Sequence, residues 1–496
     1  MVESKILKPP KEGYGRLKNF INGEWIDSKA TEWKDVVNPA TGEVIAEVPF
    51  STPSEVINAI DAAKRAFETW KEVPPSARAK YFFKLRQLME ERYEDLARIV
   101  VQENGKTIAE ARGEIRRGLE EIECACGIPS LTKGYVCRDV SRGIELKTVP
   151  EPLGVFCMIP PFNFPHLVPL EYMPYAVACG DTYIVKPSVD TPISQNMIFE
   201  LIQEAGFPPG VVNLVHGFRE VGDILCNDPA VKGMSFVGST GVGKLLYQNW
   251  CLQGKRAQCA TGAKNHLIIM PDADLDLAIR SMMSSFFGCA GQRCLAGSVA
   301  VPVGNIHEIF SQKFAEAASK LRVGYGFDPS VDVGPVISLA ARDRMVKYIE
   351  QGIKEGAELL LDGRNVNVSG YPSGSFLGPT IFDNVRPDMI VAREEIFGPV
   401  ACIIPAKDLD EAISMIKQSS FGHSGLIFTT DGTSANKFEK QVSCGNIGIN
   451  IGLAATQAYA TLGGMKDSAY GDIHGRSESI AFFTDRKVII SRWEWS

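Results

Sequence analysis

The stretch Val155-Phe156-Cys157-Met158-Ile159 runs directly into Pro160-Pro161-Phe162-Asn163-Phe164-Pro165. Consecutive apolar residues closed off by prolines read as a short strand buried on both faces. Similar runs follow at Tyr183-Ile184-Val185, Val211–Val215 and Met234–Val237. Helix-like segments of roughly 10–20 residues separate them, one ending near Gly206 with Pro208 and Pro209 behind it. Buried strands alternating with helices make βαβ units, hence an α/β chain with a parallel sheet. Such sheets present ligands at the carboxyl ends of their strands. The segment Pro161–Pro165 therefore stands where a site is expected.

Working outward, Thr52-Pro53-Ser54-Glu55 is a capping box with Pro at the first helical position. Val56, Ile60, Ala63 and Phe67 follow on one helical face. A second α/β series begins after Lys264. His266–Met270 reads as a strand, Leu275–Phe287 as a helix, Ser298–Val303 as a strand and His307–Leu321 as a helix. Further strands are expected at Ala401–Ile404, Gly425–Phe428 and Asn446–Ile449. Gly134–Val149 and Phe482–Trp493 alternate, which suits peripheral strands of an arm or an edge that pairs with another subunit. No period indicates internal repeats.

The chain has 496 residues, long for one core, so two or three domains are expected. The 59 acidic against 52 basic residues give a net charge of −7, which disfavours nucleic acid as a partner. No apolar run approaches ~18 residues, so no membrane span is expected. Met1–Gly13 lacks the apolar core of a secretion signal. The twelve cysteines form no disulfide framework: Cys124-Ala125-Cys126 has the wrong spacing for a zinc knuckle, and the six histidines are scattered. No metal is expected, and a reducing, cytoplasmic setting is the natural reading.

Cys294 ends Gly291-Gln292-Arg293-Cys294, just after the apolar-periodic Leu275–Gly288. Any single cysteine is by default a buried inert thiol. Arg293 beside it can lower its pKa toward the reactive thiolate. A thiohemiacetal at such a Cys can deliver hydride to a nicotinamide and leave a thioester. Cys289 lacks comparable neighbours and reads as core. Asn163 can donate to a developing oxyanion, together with the backbone N–H of the Cys, although a proline-bracketed turn also favours Asn for purely local reasons. Lys186-Pro187-Ser188-Val189 ends a strand, where a Lys either holds a ribose or phosphate or is simply solvated. Gly238-Ser239-Thr240-Gly241-Val242-Gly243 opens a helix whose N–H groups suit phosphate, but its glycine order also fits a plain turn. In Glu394-Glu395-Ile396-Phe397-Gly398-Pro399 a carboxylate can grip ribose hydroxyls, or the pair is an ordinary surface dipeptide.

Together, in this order, these motifs resemble the aldehyde dehydrogenase superfamily. The likeness runs from Asn19-Phe20-Ile21-Asn22-Gly23 to Phe483-Thr484-Asp485, through Asn38-Pro39-Ala40-Thr41-Gly42-Glu43, Gly378-Pro379-Thr380 and Gly463-Gly464-Met465-Lys466. It implies a Rossmann-like cofactor domain (15–133 and 150–262), an α/β catalytic domain (263–460) and a small oligomerisation β-segment (134–149 and 480–496). It implies Cys294 as nucleophile and Asn163 as oxyanion donor. It further implies contacts to NADP or NAD from Ile159, Pro161, Lys186, Ser188, Val189, Gly217, Gly238, Ser239, Gly262, Glu395 and Phe397. A homodimer or homotetramer is implied as well.

Within the superfamily, Thr261-Gly262-Ala263-Lys264-Asn265-His266, Gly291-Gln292-Arg293-Cys294 and Phe162-Asn163-Phe164-Pro165 are similar to the methylmalonate-semialdehyde dehydrogenases. Most of the superfamily carries a water-activating Glu where this chain has Ala260; that branch lacks it and passes the acyl group to coenzyme A. The branch also implies Arg117, in Arg116-Arg117-Gly118-Leu119-Glu120, and Arg293 at the substrate carboxylate, with Phe162 at the substrate. Two positions depart from the family pattern. Val189 stands where Glu is usual; a Glu would bind ribose hydroxyls and repel a 2′-phosphate, so NADP is expected to be accepted, even preferred. Gly464-Met465-Lys466-Asp467-Ser468, with Ala454-Ala455-Thr456-Gln457 before it, is expected to reshape the substrate mouth. The competing readings are a non-acylating NADP-dependent enzyme for a small polar aldehyde such as glyceraldehyde, and a catalytically silent structural protein on this fold. A hydrolytic enzyme would need another base, for which Gly471-Asp472-Ile473-His474 holds the only named candidates.

Overall fold

Val155–Ile159 forms a strand with the bounds its apolar run defines, and in a computed structural model, which describes residues 6–471 and 476–492, it lies inside an eight-stranded sheet. The spatial order is Ala469–Gly471, Arg256–Ala260, Val231–Val237, Val155–Ile159, Thr182–Val185, Val212–Leu214, Asn19–Ile21, Glu24–Ile26. The five strands from Arg256–Ala260 to Val212–Leu214 are mutually parallel, and the outer three are antiparallel additions. In chain order the sheet grows from Val155–Ile159 toward Val212–Leu214, then returns to build Val231–Val237 on the opposite side. That reversal is a topological switch point, and the crevice beyond it is where an open α/β sheet takes a ligand. Ile159 and Pro161 leave one strand there; Gly238 and Ser239 leave its neighbour.

A second sheet has seven strands in the order Glu358–Leu361, Thr380–Asp383, Val400–Ile403, Gly297–Pro302, Asn265–Ile269, Ser424–Phe428, Asn446–Ile449. All neighbours are parallel except the first pair. The Leu275–Phe287 helix packs on it and buries Met282, Phe286 and Phe287 in one apolar cluster with Leu267, Val299 and Phe314. Its N-cap is Asp274, whose side chain accepts the Leu277 N–H.

The capping box at Thr52 forms as written: the Thr52 hydroxyl accepts from Glu55 N, and Glu55 Oε2 accepts from Thr52 N at 2.7 Å. Val56, Ile60 and Ala63 are buried, while Phe67 at the far end of that face is half-exposed. Tyr135–Ser141, Ile144–Pro152 and Thr484–Arg492 make a separate antiparallel sheet with Ile144–Pro152 in the middle. The expected strand from Phe482 begins instead at Thr484, because Arg476–Phe483 is a helix. Phe482 and Phe483 set their rings 5.8 and 5.0 Å from Phe156, and that aromatic packing outweighs the local alternation. Trp493 lies outside the described residues. Among the described residues no helix is long and apolar enough to cross a membrane.

Candidate active site

The Leu275–Phe287 helix ends in a tight turn, Gly288–Gly291, in which Cys289 and Ala290 are left-handed, with φ of 50° and 52°. Each such non-glycine residue costs on the order of 1–2 kcal/mol. Gly291 follows with φ of 70°, and a Cβ there would stand 2.1 Å from the Gly398 carbonyl oxygen. Only glycine fits that position. Glu110 holds the turn: its Oε1 accepts the Cys289 N–H at 2.6 Å and an Arg293 N–H at 3.2 Å. Its Oε2 accepts the Thr107 N–H at 2.9 Å, within a capping box that starts the Ile108–Cys126 helix. One carboxylate thus ties a helix N-terminus to the strained turn that launches Cys294.

Beyond the turn, Asn265 Nδ2 donates to the carbonyls of Cys294 at 2.9 Å and Ala296 at 2.8 Å, while its Oδ1 accepts the Ser424 N–H. The Asn163 side-chain amide donates to the Gln292 carbonyl at 2.9 Å, which brings it beside the backbone that leads into Cys294. An Asn amide has two N–H donors, and Gln292 takes one. The Asn163 carbonyl accepts from Lys106 Nζ at 2.8 Å, and Lys106 pairs with Glu114 at 2.5 Å. The Lys106 and Glu114 side chains are 1% and 0% exposed. Asn163 is therefore positioned from both ends by buried partners. Asn163→Ala should lower kcat by ~10²–10³-fold with little change in the unfolding midpoint, the usual loss for one oxyanion donor. An unchanged kcat would return Asn163 to a turn role.

Cys294 opens onto a cavity of about 310 Å³ lined also by Arg117, Glu171, Ala260, Arg293 and Ala455. Ala260 presents a methyl group to it, and the neighbouring Thr261 hydroxyl is spent on the Asp467 carbonyl at 2.6 Å. The segment Leu453–Leu462 forms part of the wall, and the Thr456 carbonyl accepts an Arg117 N–H at 3.0 Å. A wider surface cleft of about 830 Å³, lined by Arg92, Arg98 and Glu200, lies elsewhere and contains none of the motif residues.

The charges around the thiol differ from the expected arrangement. Burial pushes the Cys294 thiol up to about 12, the Glu171 carboxylate adds to the rise, and the guanidinium that opposes it is Arg117. Arg293, adjacent in sequence, instead directs its guanidinium to Glu110 and the Ser284 carbonyl, beside Cys289. Arg293 lines the same cavity, but its charge interaction with Cys294 ranks behind those with Cys289 and Glu110. Cys289 is buried as expected of core, yet it too lines the cavity and has a guanidinium neighbour.

At the strand ends of the first sheet, Lys186 Nζ donates to the carbonyls of Gly217 at 2.9 Å and Pro187 at 3.1 Å, and burial lowers its pKa to about 8. Ser188 is half-buried beside it. Val189, expected among the cofactor contacts, buries its side chain in an apolar cluster with Leu17, Val36, Val48 and Ile193. A branched aliphatic group gains more from that cluster than from facing a polar ligand. Ser239 caps the Thr240–Leu252 helix, and its hydroxyl makes no capping bond. Gly262 N donates to Thr240 Oγ1 at 3.1 Å; a Cβ on Gly262 would meet that oxygen at 2.7 Å and Glu395 Oε2 at 2.8 Å. Glu395 accepts the Ala263 N–H at 2.9 Å, and burial raises its pKa to about 7. Phe397, left-handed at φ 56°, sets its ring 5.8 Å from Phe162 and perpendicular to it. Residues from both sheets thus converge on the mouth of the crevice.

Reading the sequence missed Lys106, Glu110, Glu114, Glu171 and Asn265. The Thr107-x-x-Glu110 capping box was legible, since it is a local pattern. The Lys106–Glu114 pair and the presence of Glu171 in the cavity depend on tertiary contacts and carry no local signal. Asp472–His474, the other named bases, lie outside the described residues.

A model of the aldehyde dehydrogenase family matches residues 25–489. A malonate-semialdehyde dehydrogenase of Geobacillus kaustophilus is 47% identical over 480 residues, covering 97% of this chain and 98% of the relative. One of Pseudomonas aeruginosa is 41% identical over 481 residues, covering 97% of each. Among solved structures, the methylmalonate-semialdehyde dehydrogenase of Oceanimonas doudoroffii is 39% identical, covers 97% of this chain and 99% of its own, and superposes with a TM-score of 0.95. A Sinorhizobium meliloti protein described as a candidate methylmalonate-semialdehyde dehydrogenase, complexed with NAD, is 38% identical, covers 98% and 99%, and also gives 0.95.

Proposed function

Because the chain belongs to the aldehyde dehydrogenase family and is an oxidoreductase acting on aldehydes, we propose that it oxidises malonate or methylmalonate semialdehyde and passes the acyl group from Cys294 to coenzyme A. The observation that carries this reading is Ala260: the strand end that faces the Cys294 cavity offers a methyl group and no base for water. The relatives named as malonate- and methylmalonate-semialdehyde dehydrogenases support the same substrate class.

The residues at the switch point fit a nicotinamide dinucleotide. An ammonium at Lys186, the N-terminus of the Thr240–Leu252 helix with an unspent Ser239 hydroxyl, and the Glu395 carboxylate offer donors for phosphate and acceptors for ribose. When bound, the dinucleotide supplies the hydride acceptor. The protein's own part begins with the Cys294 thiol giving its proton to solvent and its sulfur bonding to the aldehyde carbon, while the second N–H of Asn163 stabilises the oxyanion. Loss of hydride from that carbon leaves a thioester on Cys294. Arg117, on the cavity wall, is the guanidinium available to a substrate carboxylate; Arg293 is engaged by Glu110. Val189 places no carboxylate near a 2′-phosphate, which supports acceptance of NADP as well as NAD. We assign residues 15–133 and 150–262 to cofactor binding and 263–460 to catalysis. The arm, 134–149 and 480–496, is assigned to pairing with a second copy, since Val136, Val488 and Ile490 stand exposed on it. Twelve free cysteines support a reducing, cytoplasmic setting.

Rapid mixing tests the acceptor. A burst of NAD(P)H should be followed by a slow steady state without coenzyme A and one ~10²-fold or more faster with it, since Ala260 leaves the strand end without a base for water and a thiol is the better nucleophile toward a thioester. A steady state independent of coenzyme A would overturn the acylating reading and favour hydrolysis.

A further inference from the structure

Glu171 follows the Leu167–Leu170 helical turn and lines the cavity that holds Cys294. The nearby glutamates differ in what occupies them. Glu110 is spent on Thr107, Cys289 and Arg293. Glu114 is spent on Lys106 and on the N–H groups of His166 and Leu167. Glu121 accepts the Tyr175 hydroxyl at 2.6 Å. Among the described residues no hydrogen bond holds the Glu171 carboxylate. It is also the carboxylate that acts most strongly on the Cys294 thiol, ahead of Glu395.

We propose that Glu171 is the general base of deacylation, taking, from the same cavity, the part that Ala260 cannot play. The proposal rests on the thioester at Cys294 described above. As the acceptor sulfur bonds to the acyl carbon, its proton passes to a Glu171 oxygen. The acyl carbon–Sγ bond breaks, and Cys294 leaves as thiolate. The proton then returns from Glu171 to Cys294 or to solvent, restoring the resting state.

The surroundings suit a base working near neutral pH. Burial first, then the charges of Glu121 and Glu114, raise the Glu171 carboxyl to about 8 against the opposing pull of Arg117, all three residues lying on the Ile108–Cys126 helix. Tyr172, next in the chain, and His423, also lining the cavity, are held neutral by burial. A base must be ionised to act, so the deacylation rate should climb with pH through about 8.

Glu171→Gln keeps the shape and removes the base. With NAD, propanal and coenzyme A, its NADH burst should match the wild type in amplitude, showing a folded, acylating site. Its steady-state rate should fall by ~10²–10⁴-fold, and the rise toward pH 8 should vanish. A full burst with an unchanged steady state and pH profile would overturn the proposal. If Glu171→Gln lacks the burst, Glu171→Asp decides: a slower steady state that keeps the pH limb supports the base, and a wild-type rate without the limb overturns it. The wild type run with and without coenzyme A separates the two readings. Independence from coenzyme A removes that acceptor, and the Gln-to-wild-type ratio then tests the same base with water.

Discussion

Cys294→Ala should abolish turnover, by several orders of magnitude, while dinucleotide binding measured by fluorescence or calorimetry should stay unchanged. The expectation follows from the covalent route. Without sulfur there is no thiohemiacetal, and loss of a nucleophile removes nearly all the advantage of the machinery arranged around it. The geometry isolates the effect. The Cys294 carbonyl, which Asn265 holds at 2.9 Å, survives the substitution, as does the Asn163 bond to Gln292. The nearby Cys289 offers an internal control. Burial raises its pKa, its N–H is bound by Glu110, and its left-handed backbone aims it from a different point of the turn. Residual turnover above a few per cent in Cys294→Ala, lost on adding Cys289→Ala, would transfer the nucleophile to Cys289.

Lys106→Met should destabilise the protein by about 3–5 kcal/mol, the range for removing one partner of a buried ion pair. Lys106 and Glu114 are almost fully enclosed, and the remaining partners of Glu114 are two backbone N–H groups at 2.9 and 3.1 Å. Those bonds do not offset a desolvated carboxylate. The substitution also removes the donor to the Asn163 carbonyl and the cation 3.9 Å from the Phe164 ring. kcat should therefore fall together with stability. The double variant Lys106→Met/Glu114→Gln should recover much of the stability, because it leaves no buried charge unpaired. Recovery of stability without recovery of kcat would assign the support of Asn163 to Lys106. Additive losses in the double variant would show that the two residues are not coupled.

The parts of the fold legible in the sequence were those decided within a few residues. Val155–Ile159, Leu275–Phe287 and Asn446–Ile449 appear with the bounds that their apolar pattern defines. The Thr52–Glu55 capping box appears likewise. Val211–Val215 shortens to Val212–Leu214, and Val231–Val237 begins before its apolar run. Sheet pairing extends or trims a strand according to its neighbours, and those neighbours are remote in the chain.

Residue order alone sets the chemistry at the strand ends and turns: a thiol at 294, an amide at 163, a lysine at 186, a methyl at 260. It determined the family as well, because those types recur in a fixed order along nearly the whole chain. What each side chain meets follows from packing. Asn163 reaches Gln292, Arg117 reaches Thr456, and Arg293 turns to Glu110, each across more than a hundred residues of chain. Val189 is claimed by an apolar cluster, and Glu171 is brought into the cavity that holds Cys294. Motif identity is local chemistry, written residue by residue. The pKa of a thiol and the partner of a guanidinium depend on burial and on charges that only packing brings within a few ångströms.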